Sequence, residues 1–200
     1  MAIHIKYIYC SMRNITLTGQ TTRYQMKRVI DPNQSKTIPR KDYAEWLFLY
    51  PEVSSPEVWM QTLVCIRDGT DPIHPHVTRI IKSEIKNKVH GYQSQDKLKG
   101  YDPTIHQPIS DETCIDLIIR QDMTCFYCNI KCMIIYPTQR HLSQWTLDRI
   151  DNNVGHTMDN VVLSCLGCNL QRRTKCADKF KSSKQLVLVK CAEPSPRAQT

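Results

Sequence analysis

No stretch of the 200-residue chain approaches about 18 consecutive apolar residues, so no segment reads as a helix that crosses a bilayer. The opening Met-Ala-Ile-His-Ile-Lys-Tyr-Ile-Tyr-Cys lacks both the charged start and the small-residue cleavage site of an export signal. Disulfide grammar is missing too: of the ten cysteines, Cys10, Cys65, Cys114, Cys132, Cys176 and Cys191 follow no pairing pattern. These absences lead us to expect an intracellular protein in a reducing compartment, neither exported nor anchored in a membrane.

The other four cysteines do have a pattern. Cys125-Phe-Tyr-Cys128 and Cys165-Leu-Gly-Cys168 are two Cys-x-x-Cys pairs. A two-residue spacer lets both sulfurs of a pair reach one ion with little chain strain, and four thiolates close a tetrahedral zinc site. The alternative for any one pair is plain core packing, since free cysteines favour the interior. Gly167, inside the second pair, suggests a tight knuckle that needs backbone freedom.

The net charge is +8, with 15 basic and 10 acidic side chains over residues 1 to 110 and 8 against 4 over 125 to 181. Both large segments are basic. That favours a polyanionic partner such as DNA or RNA, although solubility alone accounts for a charge of this size.

Along the chain, loose alternation over residues 2 to 10 predicts a short strand, and the polar, proline-broken stretch 11 to 40 predicts turns or an extended arm. Tyr43, Trp46, Leu47 and Tyr50 predict a helix that Pro51 stops. Ser55-Pro56 then reads as an N-cap with proline at the first helical position, opening a helix with Val58, Trp59, Leu63 and Ile66 that Gly69 ends. Both tryptophans are expected to pack these helices, with base stacking as the alternative. Residues 77 to 89 form a basic amphipathic helix in which Ile80, Ile81, Ile85 and Val89 oppose Arg79, Lys82, Lys86 and Lys88. His74 and His76, beside prolines, read as loop histidines. Residues 91 to 108 have few aliphatics and read as a linker. Ser110-Asp-Glu-Thr opens another helix, with acids in the first turn where the backbone dipole favours them. Strands are expected over 131 to 136 and 144 to 150, with Trp145 and Leu147 buried. An Asp/Asn-rich loop follows, then an extended run through Val161, Val162 and Leu163 into Cys165. A helix is expected from 169 to about 182, with Leu170, Ala177 and Phe180 inward and Arg172, Arg173, Lys175 and Lys179 outward. The tail from 193 to 200 reads as unstructured. The fold class is α+β: a mostly helical basic region over 1 to 108, a zinc-bracketed module over 109 to 185, and a tail over 186 to 200.

The order helix, Cys-x-x-Cys, strand ending Leu147-Asp148-Arg149-Ile150, Asn-rich loop, Asn160-Val-Val-Leu163, Cys-x-x-Cys-Asn169, basic helix resembles the HNH endonuclease family in its zinc-stabilised ββα-metal form, over about residues 110 to 182. The resemblance implies phosphodiester hydrolysis in DNA. It implies that Asp148 and Asn169 hold one catalytic divalent ion and that Asn160 fixes the loop so that the base stays oriented. The chemistry agrees with such an ion: a carboxylate and an amide oxygen are hard, sparse ligands suited to Mg²⁺ or a similar cation. Where many members carry a histidine after the metal-binding aspartate, this chain has Arg149, in an Asp-Arg-Ile-Asp-Asn form familiar among HNH-like proteins of viruses and mobile elements. Arginine stays protonated and cannot take a proton from water, but it can clamp phosphate. His141, in an expected hairpin turn, and His156, in the loop, are the candidates to replace the base. Water activated by the metal or by Asp151 is a further route. Arg149, Arg172, Arg173 and Lys175 are the expected nucleic-acid contacts. Two other classes compete: a nucleic-acid binder that has lost its base, and a zinc-stapled protein-interaction domain.

Overall fold

Helix α1 (Lys41–Leu49) and a 3₁₀ turn (Pro51–Ser54) lead into α2 (Pro56–Asp68), whose boundaries follow the sequence signals. The Ser55 side chain accepts from the Val58 amide, and Gly69 ends the helix at φ +66° with its amide on the Cys65 carbonyl. This computed structural model describes residues 38–105 and 107–186. The expected strand at 2 to 10, most of the arm that follows it and the tail lie outside the described residues. The chain divides into two compact units at Ile38/Pro39, and the described architecture belongs to the second. No boundary falls at 108/109: one apolar core runs from Val53 through Phe180.

Trp59 is buried with its indole N–H on the Val53 carbonyl at 2.7 Å, so it packs the core and cannot stack on a base. Trp46 is only partly buried, and Leu47, next to it on α1, is 40% exposed.

The largest departure from the sequence reading is α3 (Pro75–Leu98). It runs straight through Gly91 and takes up the first part of the expected linker. Its buried stripe, Val77, Ile81, Ile85 and Val89, continues at helical spacing into Tyr92 and Asp96. Those last two are polar, Tyr92 partly buried and Asp96 buried, and both are held by hydrogen bonds: the Tyr92 hydroxyl accepts from the Leu147 amide, and Asp96 binds His156. An apolar periodicity scan stops where the stripe turns polar.

Helix α4 (Asp111–Arg120) opens with a capping box in which the Ser110 and Thr113 side chains each bond the other's backbone amide. Cys114, Ile115, Leu117 and Ile118 face the core. The sheet has two antiparallel strands, β1 (Trp145–Arg149) and β2 (Val161–Cys165), with Trp145 opposite Cys165 and Asp148 opposite Val162. Residues 131 to 136 do not form a strand. They make single bridges, Thr124 with Lys131 and Met133 with Gln144, while Ile134 and Ile135 are both fully buried rather than alternating. The last helix is also two: α5 (Leu166–Arg172) starts directly at Cys165, Arg173 breaks it at φ +54°, and α6 (Ala177–Gln185) follows. Gly167 lies inside α5 without a positive φ, and an added Cβ would meet only ordinary contacts, so the backbone freedom expected there is not used. Among the described residues no helix is long and apolar enough to cross a membrane.

Lys88 ties α3 to the sheet. The residue is half-buried, but its ammonium is enclosed: it donates to the Trp145 carbonyl and to Gln144 Oε1, and lies 4.4 Å from the Trp145 ring centroid and 5.0 Å from that of Tyr136. Burial pushes this amine down to about 7, against 10.5 ordinarily. The folded protein therefore releases a proton near pH 7 that the unfolded chain holds to about pH 10.5. Stability rises across that window by at most about 1.4 kcal/mol per pH unit, and the gain is lost as pH falls back through 7. Urea denaturation of metal-loaded protein between pH 7 and 10 should show a steeper rise for wild type than for Lys88→Met. Equal slopes would refute the assignment.

Candidate metal centre and neighbouring cavity

Cys125 and Cys128 sit in a knuckle after α4, closed by the Cys125 amide on the Ile130 carbonyl and the Asn129 amide on the Cys125 carbonyl. Asn129 takes the turn at φ +59°, which asparagine tolerates well. Cys165 ends β2 and caps α5, its sulfur accepting the Cys168 amide at 3.4 Å. The Phe126 amide donates to the Leu163 carbonyl, docking the knuckle against β2. All four ligand sulfurs lie within 4.8 Å of one another, and those of Cys128 and Cys165 are 3.9 Å apart. The edge of a zinc–thiolate tetrahedron with bonds of about 2.3 Å is about 3.8 Å, so this cluster can hold a metal ion such as zinc.

The sulfurs constrain one another's ionisation. Hydrogen bonds from Cys132 and Cys165 hold the Cys125 thiol below its ordinary range. The bond to Cys125, with burial, pushes Cys165 up, and burial pushes Cys168 up to about 12. Four thiols this close ionise together only around a cation, and a divalent metal takes them as thiolates.

The second pair starts α5, and α5 packs on the sheet face that carries Thr146 and Asp148. Asp148 is buried, and its carboxylate is clamped: Oδ2 accepts from the Tyr127 hydroxyl at 2.7 Å and from Arg172 Nε, and Oδ1 accepts from Arg172 Nη2 at 2.9 Å. Arg172 is thus the opposite of the outward phosphate contact expected of it. It is 1% exposed and also donates to the carbonyls of Arg149 and Lys175 and to Asn152 Oδ1. The bond to Lys175 turns the chain back on itself, which accounts for the helix ending here.

A cavity of about 610 Å³ opens beside this clamp and brings together Asp148, Arg149, Asn169 and His156, with Lys99, Arg173 and Tyr92 also on its wall. Asn169 donates through Nδ2 to Thr146 Oγ1 at 3.2 Å and to the Leu147 carbonyl at 3.3 Å. Both bonds are to the nitrogen, which leaves Oδ1 as the free end of the amide. Arg149 is half-buried, with Nη1 on the Tyr101 hydroxyl and on the Asn152 and Val154 carbonyls at 3.2 to 3.3 Å, so it braces the loop while bordering the cavity. Asn160 braces the same loop from within. Its Oδ1 accepts the Asp151 amide, and its Nδ2 donates to the carbonyls of Asp151, Val154 and Gly155.

The remaining sequence candidates fall elsewhere. His141 is in a turn before β1, not in the hairpin of the sheet, and its Nδ1 accepts from the Ser143 amide. Asp151 accepts from the Asn153 amide in an exposed turn. Neither lines the cavity, nor does Lys175, whose ammonium lies over the Phe180 ring. His76 stacks on Tyr50 and His74 faces Glu52, away from any metal cluster. Tyr127, Tyr92 and Asp96 were absent from the sequence reading. Tyr92 and Asp96 left one signal, since both fall at helical spacing beyond Val89 on α3; Tyr127 left none.

Comparison with protein-family models, with curated proteins and with solved structures returned no match.

Proposed function

We propose that this chain is a metal-dependent nuclease of the HNH type with a ββα-metal module, hydrolysing DNA phosphodiesters in the cavity between β1, α5 and the end of α3. The observation that carries this reading is the pairing of Asp148 and Asn169 on one wall, with the Asn169 amide anchored through its nitrogen so that its oxygen is left for a ligand. A carboxylate has about four acceptor positions, and Tyr127 and Arg172 fill three on Asp148, which leaves one on Oδ1. One carboxylate oxygen and one amide oxygen suit Mg²⁺ or Mn²⁺, which keep several waters and meet phosphate oxygens in the open positions. An ion held there would stabilise the charge that builds on the phosphate and its leaving oxygen. Lys99, Arg149 and Arg173 give the cavity the positive wall that a phosphodiester needs.

The clamp on Asp148 also favours a second reading, in which the cavity binds nucleic-acid phosphate without cutting it: a carboxylate already neutralised by Arg172 attracts a cation less strongly. Supercoiled-plasmid nicking with Mg²⁺ or Mn²⁺ separates the two. Wild type should nick, and Asp148→Ala and Asn169→Ala should fall to background, with Asn169→Ala the cleaner comparison because it strands no buried charge. Wild-type protein that holds its zinc, binds DNA in a salt-dependent way and never nicks would leave the binding reading.

A further inference from the structure

We propose that His156, oriented by Asp96, is the proton acceptor for the attacking water in this cavity; this rests on the nuclease reading above. The arrangement is built from two distant parts of the chain. Asp96 Oδ1 lies 2.8 Å from His156 Nδ1, and Asp96 Oδ2 accepts the His156 backbone amide at 2.6 Å. Both side chains are more than nine-tenths buried. The Tyr92 ring stacks on the imidazole at 4.7 Å between centroids, and the His156 carbonyl accepts the Ile109 amide. Gly155 lets the carboxylate approach: a Cβ there would stand 3.0 Å from Asp96 Oδ2.

This geometry selects one tautomer. A carboxylate facing Nδ1 calls for a proton on Nδ1 and leaves the lone pair on Nε2. Among the described residues the only fully buried side-chain nitrogen or oxygen without a partner is Trp145 Nε1. Among the described residues His156 Nε2 has no partner either, so it is not fully buried, and the residue lines the cavity that holds Asp148 and Asn169. The charged and titratable groups around the ring are Asp96, Tyr92 and Lys99 from α3 and its end, and Arg149 from β1. Burial, helped by Arg149 and Lys99 and opposed by Asp96, lowers the imidazole pKa, which keeps the ring neutral near pH 7. Arg149 occupies the position from which the family's base is missing, and its bonds to the Asn152 and Val154 carbonyls shape the loop that delivers His156.

In the step itself the water oxygen forms the new bond to phosphorus as its proton passes to His156 Nε2. The bond from phosphorus to the leaving ester oxygen breaks, that oxygen takes a proton from solvent, and the imidazolium returns its proton to solvent. Asp96 is the positioning residue, since the hydrogen bonds of its carboxylate all go to the histidine.

The test uses the zinc-loaded full chain, supercoiled plasmid with Mg²⁺, and ¹⁵N-NMR of labelled histidines. His156→Gln should lower the nicking rate by about 10²–10⁴-fold, with zinc content and DNA binding retained and with part of the rate restored by added imidazole. Wild-type His156 should show an unprotonated Nε2 at pH 7, and Asp96→Asn should move the proton to Nε2 while slowing nicking. A His156→Gln rate within about threefold of wild type, or a proton on wild-type Nε2, overturns the assignment of the base and leaves the nuclease reading standing. If wild type does not nick at all, both fall together.

Discussion

Stripping the metal from Cys125, Cys128, Cys165 and Cys168, or replacing Cys168 with serine, should lower the thermal midpoint of the chain by roughly 10–20 °C. Bound zinc contributes about 10–16 kcal/mol of apparent binding free energy in small zinc-dependent folds. Losing only about 5 kcal/mol of that, at about 2–4 °C per kcal/mol for a chain of this size, gives the stated shift. The effect is large here because the ion would join pieces held by few other bonds. The knuckle meets the sheet through the Phe126 amide and the Tyr127 hydroxyl, and the turn before it through Gln121, whose Nε2 and Oε1 bond the Leu163 backbone. Without metal the site also leaves several buried thiols crowded around one another. Elemental analysis and calorimetry before and after chelation check this. A wild-type protein with less than one zinc per chain, or a midpoint indifferent to chelation, would remove the metal from the account.

The second large effect belongs to Arg172. Replacing it with alanine should cost about 3–5 kcal/mol, because it strands the buried Asp148 carboxylate with only the Tyr127 hydroxyl for company. It also frees the carbonyls of Arg149 and Lys175. Arg172→Lys should recover little, since an ammonium cannot reproduce the two-pronged guanidinium contact. The discriminating experiment is a double-mutant cycle. Arg172→Met with Asp148→Leu should be more stable than Arg172→Met alone, because removing both charges removes the stranded one. Urea midpoints of the four proteins give the coupling. A cost below about 1 kcal/mol for Arg172→Ala, or simple additivity of the pair, would mean that the clamp does not hold the sheet to α5.

Much of this molecule was legible where side chains act locally. Ser55 and Ser110 announce their helices because a cap bonds the next turn, and the cysteine pairs announce a cluster that can hold a metal because two-residue spacing lets both sulfurs of a pair converge. The α+β class and the burial of Trp145 and Leu147 followed from pattern alone. What the sequence concealed is long-range and polar. Arg172 sits in a run of basic residues that reads as a solvated face, and only the fold reveals the carboxylate 24 positions earlier that draws it inside. Asp96 lies 60 positions from its histidine, in a stretch whose Gly91 and scarce aliphatics suggest a linker. Pattern reading identifies buried apolar faces well. It misses groups whose burial depends on finding a partner elsewhere in the chain.

Lys88, Tyr92 and Asp96 stand four residues apart on one side of α3 and grip, in turn, the start of β1, its middle and the loop beyond it. A rigid rod that pins three consecutive stations of a hairpin acts as a jig, fixing the spacing between the strand carrying Asp148 and the loop carrying His156. Any excised piece that keeps this spacing therefore has to include α3. Cut at 108, the hairpin would keep its cysteines and lose its gauge.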